Sequence, residues 1–270
     1  MPKRKFKSMA YNDEERKEKV LVIIPAYNES ASISYVVELI NAHLPANFDL
    51  LVIDDGSDDM TGDICRMRGV KVITHIFNMG YGAALKTGYQ YASKKGYDIV
   101  IQLDADGQHD VSNIIRLYER LLEDDAPDIV IGSRFLAGAQ SFHTPAYKRF
   151  VIACFRFLIK LTSRINITDP TSGLQGIRRT AFTYYARFNK FAIDYPDANM
   201  IIQMAMSGYQ ICEIPAVMHE REFGTSMHSG IIEPLLYIMK MLLAVIVVGL
   251  RETSRRPKVY YRKPKKRKGV

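Results

Sequence analysis

From Val20 onward, short runs of β-branched and other apolar residues alternate with longer stretches in which apolar residues recur every three or four positions. The runs at 20–25, 48–55, 70–75, 98–106 and 128–134 are continuously apolar through their centres, the pattern of strands covered on both faces. Between them, 31–43, 60–68, 81–95 and 112–123 carry the helical period. The alternation predicts βαβ units with right-handed crossovers and an α/β fold in which helices flank a mostly parallel sheet. In such a sheet the ligand crevice lies beyond the carboxyl ends of the strands. The second half is less regular. A Gly- and Pro-punctuated loop at 135–147 leads into an amphipathic helix at 147–165, then helices at 179–188 and 197–207 and a strand at 210–217.

Composition changes this picture in one respect. The chain has 270 residues, 47% of them hydrophobic, enough for one large core, and a formal net charge of +8. The charge is terminal. Residues 1–19 hold seven Lys and Arg against four acids, residues 251–270 hold ten against one, and 20–250 hold twenty against twenty-four. A mildly acidic body excludes a globally basic, nucleic-acid-coating domain. The tail RRPKVYYRKPKKRKGV would by itself permit RNA or DNA binding, but the acids of the body would then have no use, so no nucleic-acid partner is expected. Three widely spaced cysteines, Cys65, Cys154 and Cys212, suggest neither disulfides nor a zinc site. Charges follow the basic N-terminus where a signal peptide would need apolar residues, so no export signal is expected there.

The unusual residues fall at the expected crevice. Strand one ends in Pro25-Ala26-Tyr27-Asn28-Glu29, strand two in Asp54-Asp55-Gly56-Ser57-Asp58 and strand four in Asp104-Ala105-Asp106-Gly107-Gln108-His109. Each of the first two also reads as an ordinary turn with helix-capping residues. In an extended strand end, carboxylates at i and i+2 project to one side, which is unfavourable unless a cation or strong donors meet them. Oxygen ligands suit a hard divalent ion that keeps positions open for phosphate oxygens. Converging strand ends of this kind predict a nucleotide-diphosphate site with a metal.

The segments PAYNE, DDGSDD, NMGYGAALKTG, QLDADGQHD and DPTSG, in this order, resemble the family 2 glycosyltransferases of GT-A fold. Within that family the chain most resembles the dolichyl- and polyprenyl-phosphate hexosyltransferases, the dolichol-phosphate mannose synthase group. The resemblance covers about residues 20–228. It implies a GT-A, Rossmann-like catalytic domain at 20–228, with C-terminal amphipathic or membrane-associated helices. It also implies that Pro25, Ala26, Tyr27, Glu29, Ile53 and Asp55 line the base and ribose pocket. Asp104-Ala105-Asp106 would be the DxD motif, with Asp104 near ribose or donor sugar and Asp106 and Gln108 on Mg²⁺ or Mn²⁺. Asn78-Met79-Gly80 with Gly82 would form a turn at a helix N-terminus, or simply a glycine turn with Lys86 exposed. Arg134 would lie near the donor phosphates. Asp169 of DPTSG would stand on the acceptor side, or serve as an Asp-Pro turn. Arg221 to His228 resembles the family's Arg-x-x-Gly-x-Ser-Lys loop, making Arg221 and His228 expected diphosphate partners. The expected catalytic residues are thus Asp104, Asp106, Asp169 and Arg221.

Two segments depart from the family pattern. Met227 stands where the mannose synthases have lysine, and Leu174-Gln175 where Phe-Arg is common. On Met227 the expected donor is UDP-glucose or UDP-N-acetylglucosamine. GDP-mannose with a dolichyl or polyprenyl acceptor, and extension of a glycan on a hydroxyl, are the alternatives. A hydroxyl acceptor would need a base, for which Asp169 and Asp194 are the candidates. A lipid phosphate, largely deprotonated at neutral pH, needs cations instead.

No acid occurs from 129 to 168. Arg149, Arg156, Lys160 and Arg164, spaced 7, 4 and 4, form a basic stripe on one helix face. Val151, Ile152, Phe155, Leu158 and Ile159 lie largely on another. The helix suits either a membrane interface or a solvated surface helix packed on the core. Residues 231–250 are long enough to span a bilayer. Glu233, Pro234 and Lys240 interrupt them, however, and a span would place the basic tail opposite the catalytic domain, against the positive-inside tendency. The segment 229–250 is therefore expected to lie in the interface or to form a homo-oligomer. The protein is expected at the cytoplasmic face of a membrane, peripheral or monotopic, with an undecaprenyl or dolichyl phosphate acceptor and a nucleotide-sugar donor. The tail would sit on anionic headgroups.

Overall fold

The computed structural model describes residues 18–140, 144–187, 191, 196 and 198–220. The first half is the predicted alternation: β1 (Val20–Ala26), α1 (Ile33–His43), β2 (Phe48–Asp54), α2 (Thr61–Met67), β3 (Lys71–Thr74), α3 (Tyr81–Lys95), β4 (Ile99–Gln102), α4 (Ser112–Leu122) and β5 (Ile129–Ser133). Then follow α5 (Ala146–Ser163), β6 (Gln175–Arg178), α6 (Arg179–Tyr185), α7 (Ala198–Met206) and β7 (Ile211–Pro215). The seven strands form one sheet in the order β3-β2-β1-β4-β6-β5-β7. The pairs β1–β2, β1–β4, β2–β3 and β5–β7 are parallel, and β6 runs antiparallel to both neighbours.

The central strands β1, β4 and β5 are buried along their length because both faces are covered. On one face Leu21, Ile23, Leu51 and Ile53 pack with Leu85, Tyr89, Phe155, Ile159 and Phe182. On the other, Val22, Ile24, Val52 and Ile101 pack with Val36, Ile40, Ile114, Leu117 and Leu121. At roughly 25 cal/mol per Å² of apolar surface removed from water, these two layers are the main source of stability.

Two expectations are corrected here. Strand β4 stops at Gln102, so the acids of Asp104-Ala105-Asp106 lie in a turn closed by Gly107 at φ 76, not in an extended strand end. A side chain at that φ would be strained. The second correction concerns α5. Ile152, Phe155 and Ile159 are buried and Val151 and Leu158 pack beside the core cluster, so the predicted aliphatic face is the one turned into the core, not toward lipid. Strand β6 has no counterpart among the predicted elements. Residues 221–270, which include Arg221, Met227, His228, the 229–250 segment and the basic tail, lie outside the described residues, as do 1–17 and Asp194.

Candidate active site

Strand β1 neighbours both β2 and β4, so the sheet order reverses at β1 and a crevice opens beyond the carboxyl ends of these strands. The loop after β1 is bonded to the loop after β2. Asn28 N–H donates to Ser57 Oγ (3.0 Å), Glu29 N–H to Thr61 Oγ1 (2.8 Å) and Ser30 N–H to Asp59 Oδ2 (3.0 Å), while Asp58 N–H donates to Asn28 Oδ1 (2.9 Å). Asn28 accommodates this with φ 54, a left-handed conformation that asparagine tolerates better than most residues. Pro25 and Ile53 are register partners at the top of β1 and β2, and Ala26 is buried beside Asp54. Tyr27 and Glu29 are partly exposed at the rim.

The acids after β2 are met by the protein itself. Asp54 Oδ1 accepts from Ser57 N–H (3.1 Å). Asp55, 3% exposed, accepts from the N–H groups of Met79 (3.0 Å) and Gly80 (2.7 Å) and pairs with His75 Nδ1 (2.6 Å). His75 Nε2 in turn meets Thr87 Oγ1 (2.9 Å). Asp55 thus ties β2 to the turn that opens α3. Sequence reasoning missed His75, whose only signal was its place just after a strand.

Around β4 the acids differ in setting. Asp104 Oδ1 accepts from Tyr81 Oη (2.9 Å), and its Oδ2 lies 3.4 Å from His109 Nε2. Desolvation pushes the Asp104 carboxyl up, but His109, Tyr81 and the positive Arg134 outweigh it and hold it below the usual carboxylate range. Gly173 packs against it so closely that a Cβ there would lie 2.5 Å from Asp104 Oδ2. Asp106 Oδ1 accepts from Gln108 N–H (3.0 Å), which closes the turn. His109 is 7% exposed, and its Nδ1 is buried with no hydrogen-bond partner among the described residues.

Strands β5, β6 and β7 build the other wall. Asp169 is fully buried and forms a bidentate ion pair with Arg134, Oδ2–Nε 2.7 Å and Oδ1–Nη2 2.8 Å, and Oδ2 also accepts from Arg134 N–H at 3.0 Å. The sequence reading placed these two residues on the donor and acceptor sides separately, whereas the fold makes them one unit. Glu213 on β7 holds the segment that carries Asp169, accepting from Thr168 N–H (2.8 Å), Asp169 N–H (2.8 Å) and Thr168 Oγ1 (3.1 Å). Burial pushes the Glu213 carboxyl up despite these bonds. Arg156 of α5 donates from Nε to Thr168 O (2.6 Å) and lies over the Phe135 ring at 4.8 Å, which Arg134 also approaches at 5.6 Å. Of the predicted basic stripe only Arg156 turns toward this wall. Arg149, Lys160 and Arg164 are exposed.

A seam joins the walls. The N–H of His219 donates to Gln108 O (2.8 Å), that of Met218 to Gln140 O (2.7 Å) and that of Asp110 to Val217 O (3.2 Å). The buried Asn113 side chain bonds both N–H and O of Val217.

A doubly wound sheet with acids and cations gathered at its switch point places the ligand crevice of this fold class beyond the ends of β1, β2 and β4. Residues 21–185 match Glycosyl transferase family 2, and the chain belongs to that family. The undecaprenyl-phosphate mannosyltransferase of Micrococcus luteus is 30% identical over 86% of this chain and 98% of its own length. The polyprenol monophosphomannose synthase of Mycolicibacterium smegmatis is 29% identical over 79% and 82%. Among solved structures, glucosyl-3-phosphoglycerate synthase of Mycobacterium tuberculosis, in complex with Mn²⁺, UDP and glucosyl-3-phosphoglycerate, superposes with a TM-score of 0.66. It is 19% identical and covers 86% of this chain and 80% of its own, which places the fold in the GT-A class.

Proposed function

We propose that the protein is an inverting transferase that moves mannose from GDP-mannose to a polyprenyl phosphate at a membrane face. The observation that carries this reading is the near full-length similarity to a relative named for undecaprenyl-phosphate mannosyl transfer. It replaces the UDP-linked donors suggested by Met227, a position outside the described residues. In the reaction a phosphate oxygen of the lipid forms the new bond to the anomeric carbon as the bond to the diphosphate oxygen breaks, and the electron pair leaves with GDP. The acceptor oxygen is already anionic, so no side chain has to remove a proton.

The cationic wall suits that acceptor. Phe135 is flanked by Arg134 and Arg156, and the chain has no acid from 129 to 168. A hydroxyl acceptor would instead require a base, and Asp169 is fully buried with both oxygens engaged by Arg134. Its role in this reading is to aim Arg134. Arg221 and His228 remain proposed partners of the diphosphate.

The residues present also fit a divalent ion. Among the described residues no three His, Cys, Asp or Glu side chains converge on one point. An ion such as Mg²⁺ or Mn²⁺ would take one or two protein oxygens here, with diphosphate oxygens completing its shell. Asp106 and Gln108 would hold it, and the bound ion would neutralise charge on the departing diphosphate. Asp104, kept ionised by His109 and Tyr81, would position ribose or sugar hydroxyls.

The test is a donor panel of GDP-mannose, UDP-glucose and UDP-N-acetylglucosamine with undecaprenyl phosphate. Transfer from GDP-mannose alone is expected, and transfer from a UDP-sugar with none from GDP-mannose overturns the donor assignment.

A further inference from the structure

We infer that the outward face of α5 is a membrane-docking surface, in which Phe150, Phe157 and Leu161 insert among lipid chains and hold the acceptor wall against the bilayer. The inference rests on the proposed lipid acceptor for its setting, but its observations are separate. Phe150 is 68% exposed, Phe157 65% and Leu161 66%, the largest concentration of exposed apolar side chains on any helix among the described residues. Their spacing of 7 and 4 places them within about 40° of one another at 3.6 residues per turn. Ile152, Phe155 and Ile159, the buried residues of α5, face away from them. The exposed stripe therefore adds nothing to the docking of the helix on its own core.

The charge beside the stripe selects the occupant. Arg149 and Lys160 are exposed along its edge, Arg164 ends the helix, and no acid lies between residues 129 and 168 to repel an anionic surface. Phenylalanines flanked by basic residues at one height match the boundary between acyl chains and anionic headgroups, where an apolar face lies in the interface plane. A protein partner for this stripe would have to supply a matching acidic, apolar groove. Every charged residue of α5 is basic, so a second copy would not pair with this face through α5 itself. No helix among the described residues is long and apolar enough to cross a membrane.

The geometry gives the docked face a use. From the same helix, Arg156 reaches inward to Thr168 O and Phe135, beside the Arg134–Asp169 pair. One helix then has its outer face in the lipid and its inner edge at the cationic wall. A phosphate at headgroup depth would meet that wall without its prenyl chain leaving the bilayer.

The experiment uses the full chain with Cys154→Ser and Cys212→Ser, and an environment-sensitive fluorophore on Phe157→Cys. Glu119→Cys on exposed α4 serves as the reference position. Vesicles of phosphatidylcholine with about one third phosphatidylglycerol should blue-shift the fluorophore at 157, and a quencher on the lipid chains should quench it, with neither change at 119. No response at 157, or a blue-shifted signal before vesicles are added, overturns the inference, because the face is then either in water or covered by the chain or a second copy. In parallel, F150S/F157S/L161S should lower transfer to undecaprenyl phosphate in vesicles at least tenfold. Transfer to a short, water-soluble prenyl phosphate should stay within twofold of wild type, and equal losses with both acceptors count against docking. If wild type transfers to no prenyl phosphate, the acceptor assignment fails while the fluorophore result still decides docking.

Discussion

Replacing Asp169 with Asn separates a carboxylate that aims Arg134 from one that takes a proton. Removing one partner of a buried ion pair costs about 3–5 kcal/mol. Arg134 is 20% exposed and keeps some access to water, and Asn preserves the volume and one acceptor oxygen. The expected loss is therefore about 2–3 kcal/mol, or roughly 5–10 °C in Tm for a domain of this size. The assay pairs thermal unfolding with steady-state transfer at 25 °C for Asp169→Asn, Arg134→Gln and the double variant. If the pair acts as a unit, each single variant should lose stability and kcat/KM together. The double variant should then be no worse than either, with a coupling of at least about 1.5 kcal/mol. Additive losses would refute the reasoning. So would an inactive Asp169→Asn beside an active Arg134→Gln, the pattern of a general base.

The Glu213 carboxyl is raised above its ordinary value of 4.5, so the fold binds its proton more readily than the unfolded chain does. Its contribution to stability is complete below that value and declines as pH rises through the folded pKa. The Tm advantage of wild type over Glu213→Gln should accordingly be widest near about pH 4 and narrow toward about pH 7, and a gap that widens with pH contradicts the assignment. His75→Ala removes a partner of Asp55 at the turn before α3, and the donor KM should rise about tenfold, worth about 1.4 kcal/mol, with a smaller change in kcat; an unchanged KM would separate this pair from donor binding. Asp106→Ala and chelation should each lower transfer by about 100-fold or more, and transfer that persists under chelation would remove the metal from the reaction.

Most of the sheet was legible because strand segments buried on both faces are apolar, as β1 and the centres of β2, β4 and β5 are. Strand β6 was not, because Gln175-Gly176-Ile177-Arg178 has one large apolar residue. Its ladder to β4 and β5, not its side chains, makes it a strand. The site divides in the same way. Asp104 and Asp106 stood out as spaced acids, and Arg134 and Asp169 as residues at strand and turn ends. That the last two are one ion pair follows from tertiary placement across 35 residues, which no local pattern encodes. Tyr81 and Glu213 act on those acids from distant elements, and His109 from the same turn, and none was assigned a role from sequence. For α5 the helical period was legible, but the sequence left open whether its aliphatic face meets lipid or the core. Two apolar stripes share that helix, and only packing distinguishes the one turned to the core.

The position of β6 also constrains the order in which the chain can be assembled. Its neighbours are β4 and β5, made well before it, so during synthesis both strands present open edges until residue 178 has emerged. The match to the family ends at residue 185, after β6 but before β7. A fragment cut at that boundary would close the gap between β4 and β5, yet lack the partner of β5 and the Glu213 carboxylate that receives the amides of Thr168 and Asp169. Expression fragments that end before Pro215 should therefore aggregate through the β5 edge, and the shortest autonomous unit must reach past β7.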